Sequence, residues 1–92
     1  MEWPDHPVSR YTVEYTDLVR AELRAMSTKT RVAFEEGVGV IARDPYGADS
    51  RPYPGGGNDD HRITQIAGVA VITYMITKTA LLVTVVKLVA RP

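Results

Sequence analysis

The run ITQIAGVAVITYMITKTALLVTVVKLVA, residues 63–90, decides the class of this protein, because it carries only two charges, Lys78 and Lys87. Hydropathy alone would allow a membrane span. However, a spanning helix needs about 20 consecutive apolar residues, and the uncharged part before Lys78 is shorter than that. Val, Ile, Thr and Tyr dominate the run, which is typical of strands. We therefore interpret it as buried strands with a turn near residues 77–80.

The same strand pattern extends on both sides of this turn and back to the start of the chain. Three strands are predicted over residues 62–67, 69–77 and 81–90, with Gly68 turning the first pair. Alternating residues over 8–16 predict an earlier strand. Residues 50–53 contain Pro52, which a sheet tolerates only at an edge, so they predict a short edge strand.

Two helices are predicted between the first strand and the later ones. Leu18, Val19, Leu23 and Met26 fall at helical spacing, and Asp17 can cap the amides of the first turn. This predicts a short amphipathic helix of about three turns.

The second helix is predicted to begin after a cap at Ser27 or Thr28 and to end at Asp44-Pro45, because the residue before proline avoids the α region. Gly37 and Gly39 each cost about 1 kcal/mol relative to Ala inside a helix. Close packing against another element would explain them, and so would a frayed second half of the helix.

The order strand, helix, helix, then three or four strands predicts an α+β fold. In it, a helical hairpin covers one face of an antiparallel sheet. Residues 1–92 are expected to form a single domain, with residues 1–7 as an irregular N-terminal arm. The N-terminus has no apolar segment behind a basic start, so it does not predict a secretory signal.

Composition bounds the function. The chain has no cysteine, which excludes disulfide and thiolate chemistry and fits a reducing cytoplasm.

The net charge is zero, but residues 1–50 carry −3 and residues 51–92 carry +3. Chance scatter would explain this asymmetry, and so would a basic strand face for an anionic partner. The neutral total argues against strong non-specific binding of nucleic acid.

The sequence contains no metal-binding cluster, because its two histidines, His6 and His61, lie far apart and cysteine is absent. Polar side chains gather at residues 58–62, where Asp59 and Asp60 are either an acid and base or a solvated turn. Arg62 opens a strand in the apolar half of the chain, so it is expected to bind phosphate or to pair with Asp60.

Two further polar residues lie within the uncharged strands. Tyr74 is either a core ring with its hydroxyl at the edge of the core or a ligand-binding group. Strict alternation places Lys87 on the same face as Val83, Val85 and Val89. A lysine among valines either extends from a strand end or lines a concave polar face.

With these features in order, the chain resembles the RelE/ParE superfamily of small bacterial toxins over roughly residues 8–90. Tyr11-Thr-Val-Glu-Tyr-Thr resembles the first strand of that superfamily, and Ile41-Ala-Arg-Asp-Pro-Tyr-Gly resembles the end of its second helix. Ile66-Ala-Gly-Val-Ala-Val-Ile-Thr-Tyr74 resembles its hairpin with a glycine turn, and Leu82-Val-Thr-Val-Val-Lys-Leu its last strand. Each motif alone is a weak signal, and the resemblance depends on their order and spacing together.

The resemblance implies a type II toxin that a cognate antitoxin neutralises. RelE-like members cut mRNA in the ribosomal A site without a metal or other cofactor, whereas ParE-like members inhibit gyrase. Carried over residue by residue, Arg62 matches the strand-opening arginine and Arg51 a basic residue of the second strand. These two residues and Tyr74 are the candidates for binding RNA phosphate. Lys87 and His61, with Arg62, are the candidates for catalysis.

Three departures from the RelE pattern keep other functions open. One is the net charge of zero, because RelE-like nucleases are usually basic. The second arginine of the family would fall near Ala70 or Val71, and no His or Tyr follows Lys87. Losing an arginine that holds a phosphate weakens the stabilisation of the transition state. The alternatives are therefore a ParE-like gyrase inhibitor, an inactive homologue that still binds an antitoxin, and a structural β-domain.

Overall fold

The computed structural model describes residues 11–47, 49–66 and 68–90, and in it two helices cover one face of a five-stranded sheet. The predicted irregular arm over residues 1–7 lies outside the described residues. The elements in chain order are β1 (Thr12–Tyr15), α1 (Asp17–Ala25), α2 (Thr28–Arg43), β2 (Arg51–Pro52), β3 (His61–Ile66), β4 (Ala70–Thr77), a 3₁₀ turn (Lys78–Ala80) and β5 (Leu82–Ala90).

The sheet has the strand order β1-β5-β4-β3-β2. Strands β2 to β5 pair antiparallel, and β1 pairs parallel with β5 at the far edge. The predicted α+β class, with a helical hairpin and an antiparallel sheet, is confirmed. The parallel pairing of β1 makes the sheet mixed. Both helices and the other three strands lie between β1 and β5 in the chain, so this long connection allows the two strands to run in the same direction.

Side-chain caps begin both helices. The Thr16 hydroxyl accepts a hydrogen bond from the Val19 amide, so Thr16, and not Asp17, caps α1. Asp17 is the first helical residue, where its charge favours the positive end of the helix dipole. Ser27 caps α2 as predicted, and α2 ends at Arg43, immediately before Asp44-Pro45.

One glycine of α2 lies against the sheet. A β-carbon at Gly37 would stand 2.5 Å from Cγ2 of Ile66, whereas nothing lies within 4 Å of one at Gly39. The helix continues unbroken through both residues. Close packing therefore explains Gly37, and no contact in the structure explains Gly39.

The core lies between the helices and the sheet. Phe34 of α2 is fully buried, and its ring centroid lies 6.3 Å from that of Tyr15. The sheet contributes alternate residues of three strands, as a half-buried sheet requires. The buried hydrophobic residues of β3, β4 and β5 are Ile66, Ala70, Ile72, Tyr74, Ile76, Val83, Val85 and Leu88.

A β-bulge interrupts β5. Thr73 pairs with Lys87, but the next residue of β4, Tyr74, pairs with Val85, so Val86 has no partner. An extra residue reverses the alternation of the strand beyond it. The prediction that Lys87 shares a face with Val83 and Val85 is therefore wrong, because those valines are buried whereas Lys87 is exposed.

The turn predicted near residues 77–80 is a 3₁₀ turn, Lys78–Ala80. Leu81 follows it in the left-handed conformation, with φ of 50°, so β5 begins at Leu82, one residue later than predicted. The predicted edge strand at 50–53 is shorter, Arg51–Pro52. Within the described ranges, neither helix is long and apolar enough to cross a membrane.

Candidate functional site

The sheet face opposite the helices, here called the open face, carries three of the predicted site residues. Arg51 and Lys87 are exposed there, and His61 is half-buried. Arg62 and Tyr74 lie on the helix-facing side instead, because their immediate neighbours in β3 and β4 point the other way. The structure thus separates the predicted set into two groups.

Arg51 and Lys87 stand at the two ends of one row of paired residues across four strands. Arg51 pairs with Ile63, Ile63 with Thr73, and Thr73 with Lys87. Three strand spacings separate the ends, which places the two Cα atoms roughly 14–15 Å apart. A ligand lying along this row would meet a cation at each end and the apolar Ile63 between them.

His61 is held by the hairpin that joins β2 to β3. Its ring stacks on Tyr53, with centroids 4.4 Å apart and planes 14° from parallel. The Tyr53 amide donates to the His61 carbonyl at 2.7 Å. The Asn58 side-chain oxygen accepts from the amides of Asp60 and His61, at 2.8 and 3.2 Å. These bonds fix the position of His61 at the end of the open face nearest the hairpin.

The guanidinium of Arg62 is engaged with the loop before β2. Only 7% of the residue is exposed. Nε donates to the Ser50 hydroxyl at 2.9 Å, Nη2 to the Ser50 carbonyl at 3.2 Å, and Nη1 to the Asp59 carbonyl at 3.1 Å. Nη1 also lies 3.6 Å from the Asp59 carboxylate, so the acid beside Arg62 is Asp59 and not the predicted Asp60.

Tyr46 completes this buried group, and sequence reasoning did not single it out. Its hydroxyl donates to the Asp60 carboxylate at 2.6 Å. Cζ of Arg62 and Nζ of Lys78 lie 5.5 and 5.6 Å from the ring centroid, which is cation–π distance. Burial, with the hydrogen bond to Asp60, raises the pKa of Tyr46. A tyrosine within a Pro/Gly-rich loop was the signal available in the sequence.

Tyr74 anchors the same loop from the sheet. The residue is fully buried, and its hydroxyl donates to the Pro45 carbonyl at 2.7 Å. Burial raises its pKa, because the phenolate would lose its hydration. Thr64 adds a bond from its hydroxyl to the Asp49 carbonyl at 2.9 Å. We call the residues that tie this loop to the sheet the Arg62 cluster: Tyr46, Ser50, Asp59, Asp60, Arg62 and Tyr74.

Asp59 and Asp60 therefore act on the loop rather than as a free pair of acids. Asp59 lies beside Arg62, and the Asp60 carboxylate accepts from Tyr46. Of the two interpretations of these acids, an acid and base or a turn, the turn agrees with their contacts.

A groove of about 430 Å³ adjoins Arg51 on the open face. Asp49, Gln65 and Val71 are among the residues that line it. Position 71, where a RelE-like chain is expected to carry a second arginine, is thus a half-buried valine of the open face. No group of three or more His, Asp or Glu residues capable of holding a metal ion occurs in the described part of the chain.

Solved structures of known proteins share this architecture. The RelBE2 toxin–antitoxin complex of Mycobacterium tuberculosis matches with a TM-score of 0.76 and 20% identity, over 95% of this chain and 98% of the other. The chain has the RelE fold. No protein-family model and no curated protein sequence matches it.

Two further structures support the RelE fold. The archaeal RelE–RelB complex from Pyrococcus horikoshii has a TM-score of 0.73 at 19% identity, covering 89% of this chain and 96% of that one. The isolated Escherichia coli RelE toxin has a TM-score of 0.72 at 12% identity, covering 89% and 85%. The predicted resemblance to the RelE/ParE superfamily is confirmed for the fold along most of the chain.

Proposed function

We propose that this protein is the toxin of a toxin–antitoxin pair and that, like RelE, it cleaves mRNA on the ribosome with its open face. One observation carries the proposal. In a RelE fold, Arg51, His61 and Lys87 lie together on the sheet face opposite α1 and α2. Ribosomes would place this activity in the cytoplasm, in agreement with a cysteine-free chain.

The proposed reaction is attack of a ribose 2′-hydroxyl on the adjacent phosphorus. The P–O5′ bond breaks, leaving a 2′,3′-cyclic phosphate and a free 5′-hydroxyl. Arg51 and Lys87 would stabilise the negative charge that builds on the phosphate oxygens. His61 would transfer a proton to or from the reacting oxygens, for which imidazole is suited near neutral pH.

In this proposal Arg62 and Tyr74 are positioning residues. Phosphate binding needs accessible guanidinium N–H groups. Arg62 is only 7% exposed, and three of its N–H groups donate to Ser50 and Asp59. Because the Arg62 cluster holds the loop that leads into β2, it determines where Arg51 stands. We therefore assign the phosphate contact to Arg51 and the support of β2 to Arg62.

A cognate antitoxin is the proposed protein partner. The open face carries half-exposed apolar side chains, Ile63, Val71 and Met75, and Val89 is 54% exposed. Apolar surface of this kind next to cations suits a partner that is both apolar and acidic. An antitoxin segment lying there would cover the row of Arg51 and Lys87.

A gyrase inhibitor of the ParE type is the second candidate function. Val71 favours it, because this position of the open face lacks the arginine that a RelE-like nuclease is expected to place there. In that case the open face or its rim would bind a protein and Arg51, His61 and Lys87 would not be catalytic.

Expression without an antitoxin tests the proposal. Wild-type protein should arrest growth and produce new mRNA 5′ ends within ribosome-bound messages. Arg51→Ala and Lys87→Ala should each lower the cleavage rate by about 10²–10³-fold, the range for one electrostatic contact in the transition state. Lys29→Ala on α2, an exposed lysine outside the open face, is the matched control and should cleave normally.

The outcomes separate the two candidates. Arrest without new 5′ ends, together with loss of supercoiling by purified gyrase, would replace the nuclease with the gyrase inhibitor. Cleavage that Arg51→Ala and Lys87→Ala leave unchanged would move the active site away from the open face. The absence of both arrest and cleavage would remove the toxin proposal.

A further inference from the structure

The stacked pair of Tyr53 and His61 lies beside Arg51 at one end of the open face. Tyr53 continues the β2–β3 ladder, since its amide donates to the His61 carbonyl at 2.7 Å. Arg51 and Tyr53 are two residues apart in an extended segment, so their side chains point to the same face, roughly 7 Å apart at Cα. A cation and an aromatic surface are thus neighbours at this edge.

The hairpin is shaped closely around this pair. A β-carbon at Gly56 would stand 3.1 Å from Nδ1 of His61 and 3.3 Å from Cβ of Tyr53. The Gly56 amide donates to the Tyr53 carbonyl at 2.9 Å, which draws the loop against the rings. Both rings stay half-exposed. The loop therefore supports the stack and still leaves aromatic surface in contact with solvent.

The hairpin also has turn-forming features that do not involve the two rings. Asn58 turns the chain by accepting two backbone amides, and Gly55 and Gly57 adopt φ of +77° and +87°, which other residues rarely do. Turn formation therefore does not explain why two aromatic rings stand side by side on a surface that faces solvent. Paired flat rings beside a cation are the surface on which proteins stack the bases of single-stranded nucleic acid.

We infer that the Tyr53–His61 pair is a platform for one base of single-stranded RNA, while Arg51 contacts the neighbouring phosphate. The inference rests on the proposed function in one respect, the choice of RNA as the ligand. Stacking of this kind tolerates all four bases, because every base presents a flat face. The platform would hold the message and position it along the row toward Lys87.

Fluorescence anisotropy of a labelled short oligoribonucleotide tests the platform with purified full-length protein and no ribosome. The matched probe has the same backbone with an abasic nucleotide at every position. Tyr53→Phe keeps the ring, and Tyr53→Leu keeps apolar bulk without it. Circular dichroism confirms that both variants are folded.

We expect wild type and Tyr53→Phe to bind the normal probe with equal affinity and the abasic probe more weakly. Tyr53→Leu should bind the normal probe about 5- to 150-fold more weakly than wild type, the range for one stacked base. Arg51→Ala should weaken both probes by the same factor. Equal binding of the normal probe by Tyr53→Leu and wild type, or of both probes by wild type, would overturn the platform.

The result is independent of the cleavage assay. A protein that binds RNA through Tyr53 but produces no new mRNA 5′ ends would keep the platform and remove the nuclease. A protein that cleaves mRNA while Tyr53→Leu binds normally would keep the nuclease and remove the platform.

Discussion

Arg51 and Arg62 lie on neighbouring strands, but their surroundings differ. Arg51 pairs with Ile63 and is exposed, whereas Arg62, one residue earlier in β3, is buried beneath the loop. Arg62 and Ile63 are consecutive residues of β3, so their side chains point to opposite faces of the sheet. Because Arg51 pairs with Ile63, the two arginines lie on opposite faces. The arginine that the sequence made most conspicuous is therefore the one that stabilises the structure.

Truncation distinguishes these two arginines by stability. Arg62→Ala leaves the carbonyls of Ser50 and Asp59 without their donor, and we expect the free energy of unfolding to fall by about 2–4 kcal/mol. Arg51→Ala, at an exposed site, should change it by no more than about 0.5 kcal/mol. Urea unfolding measures both, and equal losses would contradict the role assigned to Arg62.

At the scale of elements, one glycine and one bulge determine how the helices and strands meet. Gly37 lets α2 approach Ile66 of β3, because no β-carbon stands between them. The unpaired Val86 shifts the register of β5, so that Leu88 is buried and Lys87 faces solvent. Without the extra residue, regular alternation would direct Lys87 into the core and Leu88 out of it.

Paired alanine substitutions in α2 test the contact at Gly37. Gly37→Ala gains about 1 kcal/mol of helix propensity but forces a shift of the buried Ile66, which costs about 1–3 kcal/mol. Gly39→Ala meets nothing and should stabilise the protein by up to about 1 kcal/mol.

Thermal unfolding should therefore rank Gly39→Ala above wild type, and Gly37→Ala at or below it. One kcal/mol corresponds to roughly 4–8 °C for a domain of this size. A Gly37→Ala variant as stable as Gly39→Ala would show that Ile66 can shift to admit the β-carbon with no loss of stability.

Across the whole molecule, one buried and two half-buried tyrosines link stability to alkaline pH. Burial raises the pKa of Tyr15, Tyr46 and Tyr74 in three different parts of the fold. In the unfolded chain these phenols ionise near pH 10, whereas the folded protein retains their protons to higher pH. The unfolded state therefore loses protons first, and rising pH favours it.

We expect the free energy of unfolding to be steady up to about pH 9 and to fall above about pH 10. Each tyrosine contributes at most about 1.4 kcal/mol per pH unit. Tyr74→Phe should start less stable, having lost its bond to the Pro45 carbonyl, but its stability should fall less steeply above pH 10. Urea unfolding at a series of pH values measures this, and identical slopes would exclude Tyr74 as a contributor.

Much of the fold could be predicted because its signals are local. The helix stop at Asp44-Pro45, the cap at Ser27 and the glycine turn at 68 each depend on a few neighbouring residues. The site was only partly predictable, since composition identifies cations and aromatics but not the face on which each will lie. Arg51, a predicted phosphate ligand, is exposed on the open face, whereas the loop contacts of Tyr46 left no periodic signal in the sequence.

The sequence by itself determined the α+β class, the order of the helices and strands and the antiparallel pairing of the later strands. Local propensity and hydrophobic period specify those features residue by residue. Only the tertiary structure decided that β1 runs parallel to β5, that Arg62 is buried by its own loop and that Lys87 faces solvent. Each depends on a contact between residues distant in sequence. A bulge of one residue is enough to change the face of the sheet to which the following side chains point.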